Sequence, residues 1–95
     1  MGKIAFAIFS ILGFVMSILT NIEGKRFIKF IEHYGYKFKR QKGSHLRYKN
    51  HHGISITIPA SGKRVIKPGI VKGLLNEMNL TSISLANFFN TRSNI

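Results

Sequence analysis

The chain has 95 residues, 15 Lys and Arg against 3 Asp and Glu, a formal net charge of +12 and no cysteine. That length suits one domain with a small core, and the missing thiols exclude a disulfide framework, a cysteine nucleophile and a cysteine-based zinc site. So dense a positive charge opposes a compact state by self-repulsion, and an anionic partner would offset it: nucleic acid first, an anionic membrane surface second, an acidic protein third.

Residues 1–22 stand apart. They hold one basic residue, Lys3, and no acidic one, whereas the other 14 basic residues lie between Lys25 and Arg92. Ile4 to Thr20 is a run of 17 residues without a charge. Its length is at the lower edge of the ~17–25 residues that cross a bilayer. Ser10, Gly13, Ser17 and Thr20 weaken it further. Three readings compete. The run is an apolar extension from an early start, with Met16 as the alternative start. It is a membrane anchor, with Lys25 and Arg26 favouring a cytoplasmic location for the downstream domain. Or it is an export signal, for which no Ala-x-Ala pattern is present. They are preferred in that order.

The domain proper starts near Gly24. Phe27, Phe30, Ile31 and Tyr34 recur at helical spacing, and Gly35 comes next, where helices stop in a left-handed turn. Tyr36 and Phe38 then alternate with lysines, which predicts a half-buried strand through Lys42. Gly43-Ser44 is a turn signal. Leu46 and Tyr48 alternate with His45, Arg47 and Lys49 in a second strand. Asn50 to Gly53 is a second turn. Ile54, Ile56 and Ile58 alternate with Ser55 and Thr57 in a third strand, ended by Pro59. Ala60 to Ile66 is a loop. Lys67-Pro68 opens a helix whose stripe is Ile70, Val71, Leu74, Leu75 and Met78, and Asn79 can close it. Ser84 to Phe89 adds a short helical turn, and the polar NTRSNI tail is expected to fray. The expected fold is α+β: a three-stranded antiparallel sheet with two helices packed on one face. Its other face would be wet and basic. The expected division is 1–22 as the apolar extension, 23–80 as the domain and 81–95 as the tail.

Several residues take ordinary roles. His51 and His52 belong to a solvated turn rather than a metal site, His33 closes the first helix, and Glu32 and Glu77 are helix-surface carboxylates. Tyr34, Tyr36 and Phe38 are read as core, while Tyr48 stands near His45. Neither a metal nor another cofactor is expected.

The block Gly24-Lys25-x-x-Ile28-x-x-Ile31-x-x-x-Gly35-Tyr36, and after it Arg40-Gln41-Lys42-Gly43-Ser44-His45, resembles the HicA toxins of bacterial toxin–antitoxin pairs. Ile58-Pro59 and Lys67-Pro68-Gly69 before an apolar helix continue the resemblance, which spans roughly Gly24 to Leu80. The Arg-Gln-Lys-Gly-Ser-His segment is its most specific piece. The resemblance implies a double-stranded-RNA-binding-domain-like αβββα fold and an mRNA-cleaving toxin of the cytoplasm, held inactive by a HicB-type antitoxin. It also implies that His45, the histidine of the Gly-Ser-His turn, is the essential residue. Many relatives have a second histidine just after the proline of the third strand, where this chain has Ala60-Ser61. The apolar leader also lies outside the family pattern.

An imidazole at a strand start can take a proton from a ribose 2′-OH, so His45 is the expected general base or acid of a metal-independent endoribonuclease. Lys42, Arg40 or Arg47 would stabilise charge developing on phosphate. Lys37, Lys39, Arg40, Lys42, Ser44, Arg47 and Lys49 on the strands and their turn, with Lys63, Arg64 and Lys67 beyond, are the expected RNA contacts. The alternatives are a non-catalytic double-stranded-RNA-binding module and a small basic membrane-associated protein held by residues 4–20.

Overall fold

The computed structural model of the chain describes the backbone of residues 2–59 and 62–93 and the side chains of residues 12–59 and 62–90. Ala60 and Ser61, where the resemblance implies a second histidine in many relatives, lie outside the described residues, as do the side chains of the first half of the apolar run. The elements are α1 (Gly2–Asn21), α2 (Gly24–His33), β1 (Lys37–Lys42), β2 (His45–Lys49), β3 (Ser55–Ile58), α3 (Pro68–Glu77) and α4 (Ser82–Ser93). From α2 to α3 this is the expected αβββα order, in an α+β fold. Two more helices, α1 and α4, flank it.

The strands form one antiparallel sheet in the order β1-β2-β3. Leu46 and Tyr48 on β2 and Ile56 and Ile58 on β3 are buried, while their neighbours are exposed or half-buried. This period of two assigns one face to the core and the other to solvent. The helix layer supplies Phe27, Phe30 and Ile31 from α2 and Val71, Leu74 and Leu75 from α3. It does not cover β1, whose six residues are all exposed. Phe38 therefore keeps 51% of its surface in solvent although its ring meets Tyr48 edge-on.

The ends of the elements are set by local chemistry. Gly35 takes φ +89° after α2, and the Tyr36 N–H bonds the Ile31 carbonyl at 3.1 Å. That is the six-residue closure of a Schellman cap, with buried Ile31 and Tyr36 as its apolar pair. The same closure ends α3, where Asn79 takes φ +57° and the Leu80 N–H bonds the Leu75 carbonyl. At the start of α2, no side chain caps the helix. Instead the carbonyls of Arg64 and Gly62 accept the N–H groups of Gly24 and Lys25 at 2.8 and 2.9 Å. The loop before α3 thus satisfies two donors that a helix start leaves open.

The short turn expected over Ser84 to Phe89 is the middle of a 12-residue helix, α4. Thr81 begins it: its Oγ1 accepts the Ser84 N–H at 3.2 Å and shares a hydrogen bond with Ser84 Oγ. Phe88 then packs on Phe30, and the Arg26 guanidinium stacks over Phe89 at 4.5 Å. From the other flank, Ile18 and Leu19 of α1, with Ile22 just after it, are buried in the same core.

Candidate nucleic-acid interface

The solvent face of the sheet is set by the register. Lys42 pairs with His45, Arg40 with Arg47, and Lys37 with Lys49, and β2 continues the rows with Arg47 opposite Thr57 and Lys49 opposite Ser55. Paired residues of an antiparallel ladder share a face. Three rows of cations therefore cross β1 and β2, with His45 in the end row beside the turn.

A bulge makes this possible. The register shifts between Phe38 and Arg40, leaving Lys39 as the extra residue of β1. A bulge places two residues opposite one and re-aims the rest of the strand. In a regular ladder, Arg40 would fall on the side of Leu46 and Lys39 on the side of Arg47. The strict alternation of Tyr36, Phe38 and lysines would have placed Lys39 on the outer face. Instead Arg40 faces Arg47, and Lys39 lines a separate cleft with Gly35, Lys37, Lys49, Asn50 and His51.

Arg40, Gln41, Lys42, His45, Arg47 and Thr57 line an open cleft of about 440 Å³ on this face. No carboxylate is among them, so the three cations there keep their field for an incoming anion. His45 enters the cleft from a tight hairpin. Gly43 takes φ +60° and Ser44 does not, the pattern of a type II′ turn with glycine first. The Gln41 side-chain amide bonds the Gly43 carbonyl at 2.9 Å. His45 and Ser44 are exposed. Gln41 and Thr57 were not expected there: nothing in their residue types singles them out, and Thr57 comes by its register with Arg47 while Gln41 reaches the cleft beside the turn it bonds.

The remaining expected contacts are dispersed. Lys63, Arg64 and Lys67 are exposed but do not line the His45 cleft. They stand on the segment tied to the start of α2 and on the N-cap of α3. His51 and His52 lie in the second turn, as expected, with their rings stacked 3.9 Å apart. Asn50 Oδ1 shapes that turn by accepting the His52 and Ile54 N–H groups at 3.0 and 2.9 Å. Among the described residues, no group of three His, Cys, Asp or Glu could hold a metal ion.

Tyr36 and Tyr48 belong to the other side of the sheet. Burial pushes both phenols above 10.0, with smaller contributions from Glu77 at Tyr36 and Glu32 at Tyr48. They stay neutral where an imidazole titrates, and Tyr48, though on the same strand as His45 and Arg47, is a core residue.

Among the described residues, no helix is long and apolar enough to cross a membrane. Among curated proteins no match to the chain was found. A family model described as the HicA toxin of bacterial toxin–antitoxin does match, over residues 24–80, which takes in α2, the whole sheet and α3. That span is 57 of the 95 residues, more than half of the chain. It contains the Gly-Ser-His hairpin, the bulged strand and the cationic face. The chain therefore belongs to the HicA family of toxins of bacterial toxin–antitoxin systems.

Proposed function

We infer that the protein is an endoribonuclease that cuts mRNA without a metal ion, with His45 as the group that takes and returns the proton. The observation that carries this reading is the cleft itself. An exposed imidazole stands in one concave site with Arg40, Lys42 and Arg47 and with no carboxylate. Such a set fits internal attack by a ribose 2′-OH. His45 takes the hydroxyl proton, and the 2′ oxygen attacks the adjacent phosphorus. The bond to the 5′ oxygen breaks, and that oxygen takes a proton. The products are a 2′,3′-cyclic phosphate and a 5′-hydroxyl end. The cations offset charge gathering on the phosphoryl oxygens.

The same face suits an acidic, HicB-type antitoxin, which would cover His45 and neutralise the rows beside it. Action on mRNA would place the protein in the cytoplasm.

The test is incubation of the full chain and its His45→Ala variant with RNA, with and without a chelator. The expected result is cleavage by the unaltered chain in chelator, ending in cyclic phosphate, and a loss of about 10²–10⁴-fold in the variant. Equal cleavage by the two proteins would sink the assignment. The Ala60-Ser61 pair, in place of the family's second histidine, favours one alternative: a module that holds RNA without cutting it. Binding without cleavage by either protein would select it.

A further inference from the structure

The His45 cleft occupies only one end of the basic face. At the other end Gly35, Lys37, Lys39, Lys49, Asn50 and His51 enclose a second cleft of about 270 Å³. Its three ammonium groups arrive by independent means. Lys37 and Lys49 are a register pair, and Lys39 is delivered by the bulge. His51 is held by the Asn50 turn and backed by His52. No carboxylate lines this cleft either. Like charges gathered around one concavity repel, and an anion seated among them would relieve that repulsion.

The geometry points to a second phosphate subsite here, which holds the backbone of an RNA single strand at a distance from the bond that His45 acts on. This rests on the reading of His45 as the site of cleavage. Lys49 lies four residues along β2 from His45, or about 13 Å at the rise of a strand. The Arg40–Arg47 row stands between them. One backbone laid along β1 and β2 would therefore meet cations from end to end. The two aromatic side chains of these strands, Phe38 and Tyr48, pair on the opposite face. With neither of these rings on the basic face to stack a base, the track grips phosphates and tolerates any sequence.

The test uses the full chain and fluorescent 2′-O-methyl oligonucleotides, which lack the attacking hydroxyl and stay intact whatever His45 does. Lengths of about 4 and about 10 nucleotides fall at the lower end and in the middle of the range that single-strand grooves occupy. Fluorescence anisotropy gives each affinity as a function of salt. The longer strand should bind more tightly. Lys39→Ala/His51→Ala should weaken the longer strand roughly tenfold and flatten its salt slope by about 0.7 per lost contact, leaving the shorter strand unchanged. Lys39→Gln/His51→Asn should do the same if alanine loosens the hairpin. Lys72→Ala, which removes an exposed charge on α3, should affect both lengths alike and weakly.

Equal losses at both lengths, or a loss no greater than that from Lys72→Ala, would overturn the subsite and leave the cleavage reading standing. No binding at either length would overturn the RNA reading as well. Cleavage that persists in His45→Ala beside an intact length effect would remove the catalytic role and keep the track.

Discussion

A histidine acts on RNA only where it is reachable and where something beside it answers the charge that the reaction creates. His45 meets both conditions, and its position was legible in the sequence because Gly43-Ser44 dictates a tight turn and the turn fixes the first residue after it. The cations that line its cleft, Arg40, Lys42 and Arg47, were named from the sequence as well, but the bulge that turns Arg40 towards Arg47 was not legible, because the six residues from Lys37 to Lys42 include four cations and only Phe38 to mark a face. Arg47 is the central one of the cleft, opposite Arg40 on one side and Thr57 on the other. If it stabilises charge on the phosphate, Arg47→Ala should lower kcat by about 10²-fold with little effect on KM, since one stabilising donor is worth that much. Arg47→Lys should recover part of it, and a change confined to KM would reduce Arg47 to a binding role. Tyr48, in the same strand, should report on stability instead. Its phenol is held neutral by burial, so its folded pKa lies above the unfolded value of 10.0. Its contribution is therefore complete below pH 10 and lost as pH rises through the folded pKa, because the unfolded chain releases its proton first. Thermal melts above pH 10 should show this loss, and Tyr48→Phe should make the alkaline limb shallower.

At the scale of elements, the sequence carried the strands wherever an apolar residue marked alternate positions. β2 and β3 read cleanly for that reason, since Leu46, Tyr48, Ile56 and Ile58 all point inward. β1 did not, because it is an edge strand that the helices leave uncovered, so burial imposes no pattern on it. The bulge at Lys39 hid in that unpatterned stretch. Removing Lys39 should not disturb the sheet: Phe38 would stay opposite Tyr48 and Arg40 opposite Arg47, in a ladder now regular. The expected melting temperature of the deletion variant lies within about 4 °C of the parent, the shift that roughly 1 kcal/mol produces in a domain this small. A collapse in stability would mean that the bulge supplies twist the sheet needs. The helix α4 was half legible. Its apolar residues stood out, but its start depends on Thr81, whose hydroxyl serves as a cap only because Ser84 stands at the right distance.

For the molecule as a whole, charge and apolar surface are divided between the two sides of one sheet. The basic side faces outward with its repulsion uncompensated by any carboxylate in either cleft, so the apolar side has to hold the fold together. It does so with help from both flanks of the family segment. Ile18, Leu19 and Ile22 from one flank and Leu85, Phe88 and Phe89 from the other are buried with α2 and α3. Composition alone marked residues 1–22 as a separate apolar stretch, since a helix docked by one end and a helix meant for lipid share the same residue types. The difference lies in where burial begins: Leu12, Phe14 and Met16 are exposed, whereas Ile18, Leu19 and Ile22 are buried. A chain begun at Met16 keeps all three buried aliphatics and should melt close to the full chain. One begun at Gly24 loses them, at about 1.5–3 kcal/mol each, against a total stability of only about 5–15 kcal/mol. It should therefore unfold at much lower temperature, and Leu19→Ala in the full chain should already cost about 2–5 kcal/mol. Denaturant titration of these four proteins decides the point: if the form begun at Gly24 were as stable as the full chain, α1 would be an appendage and the core would close without it.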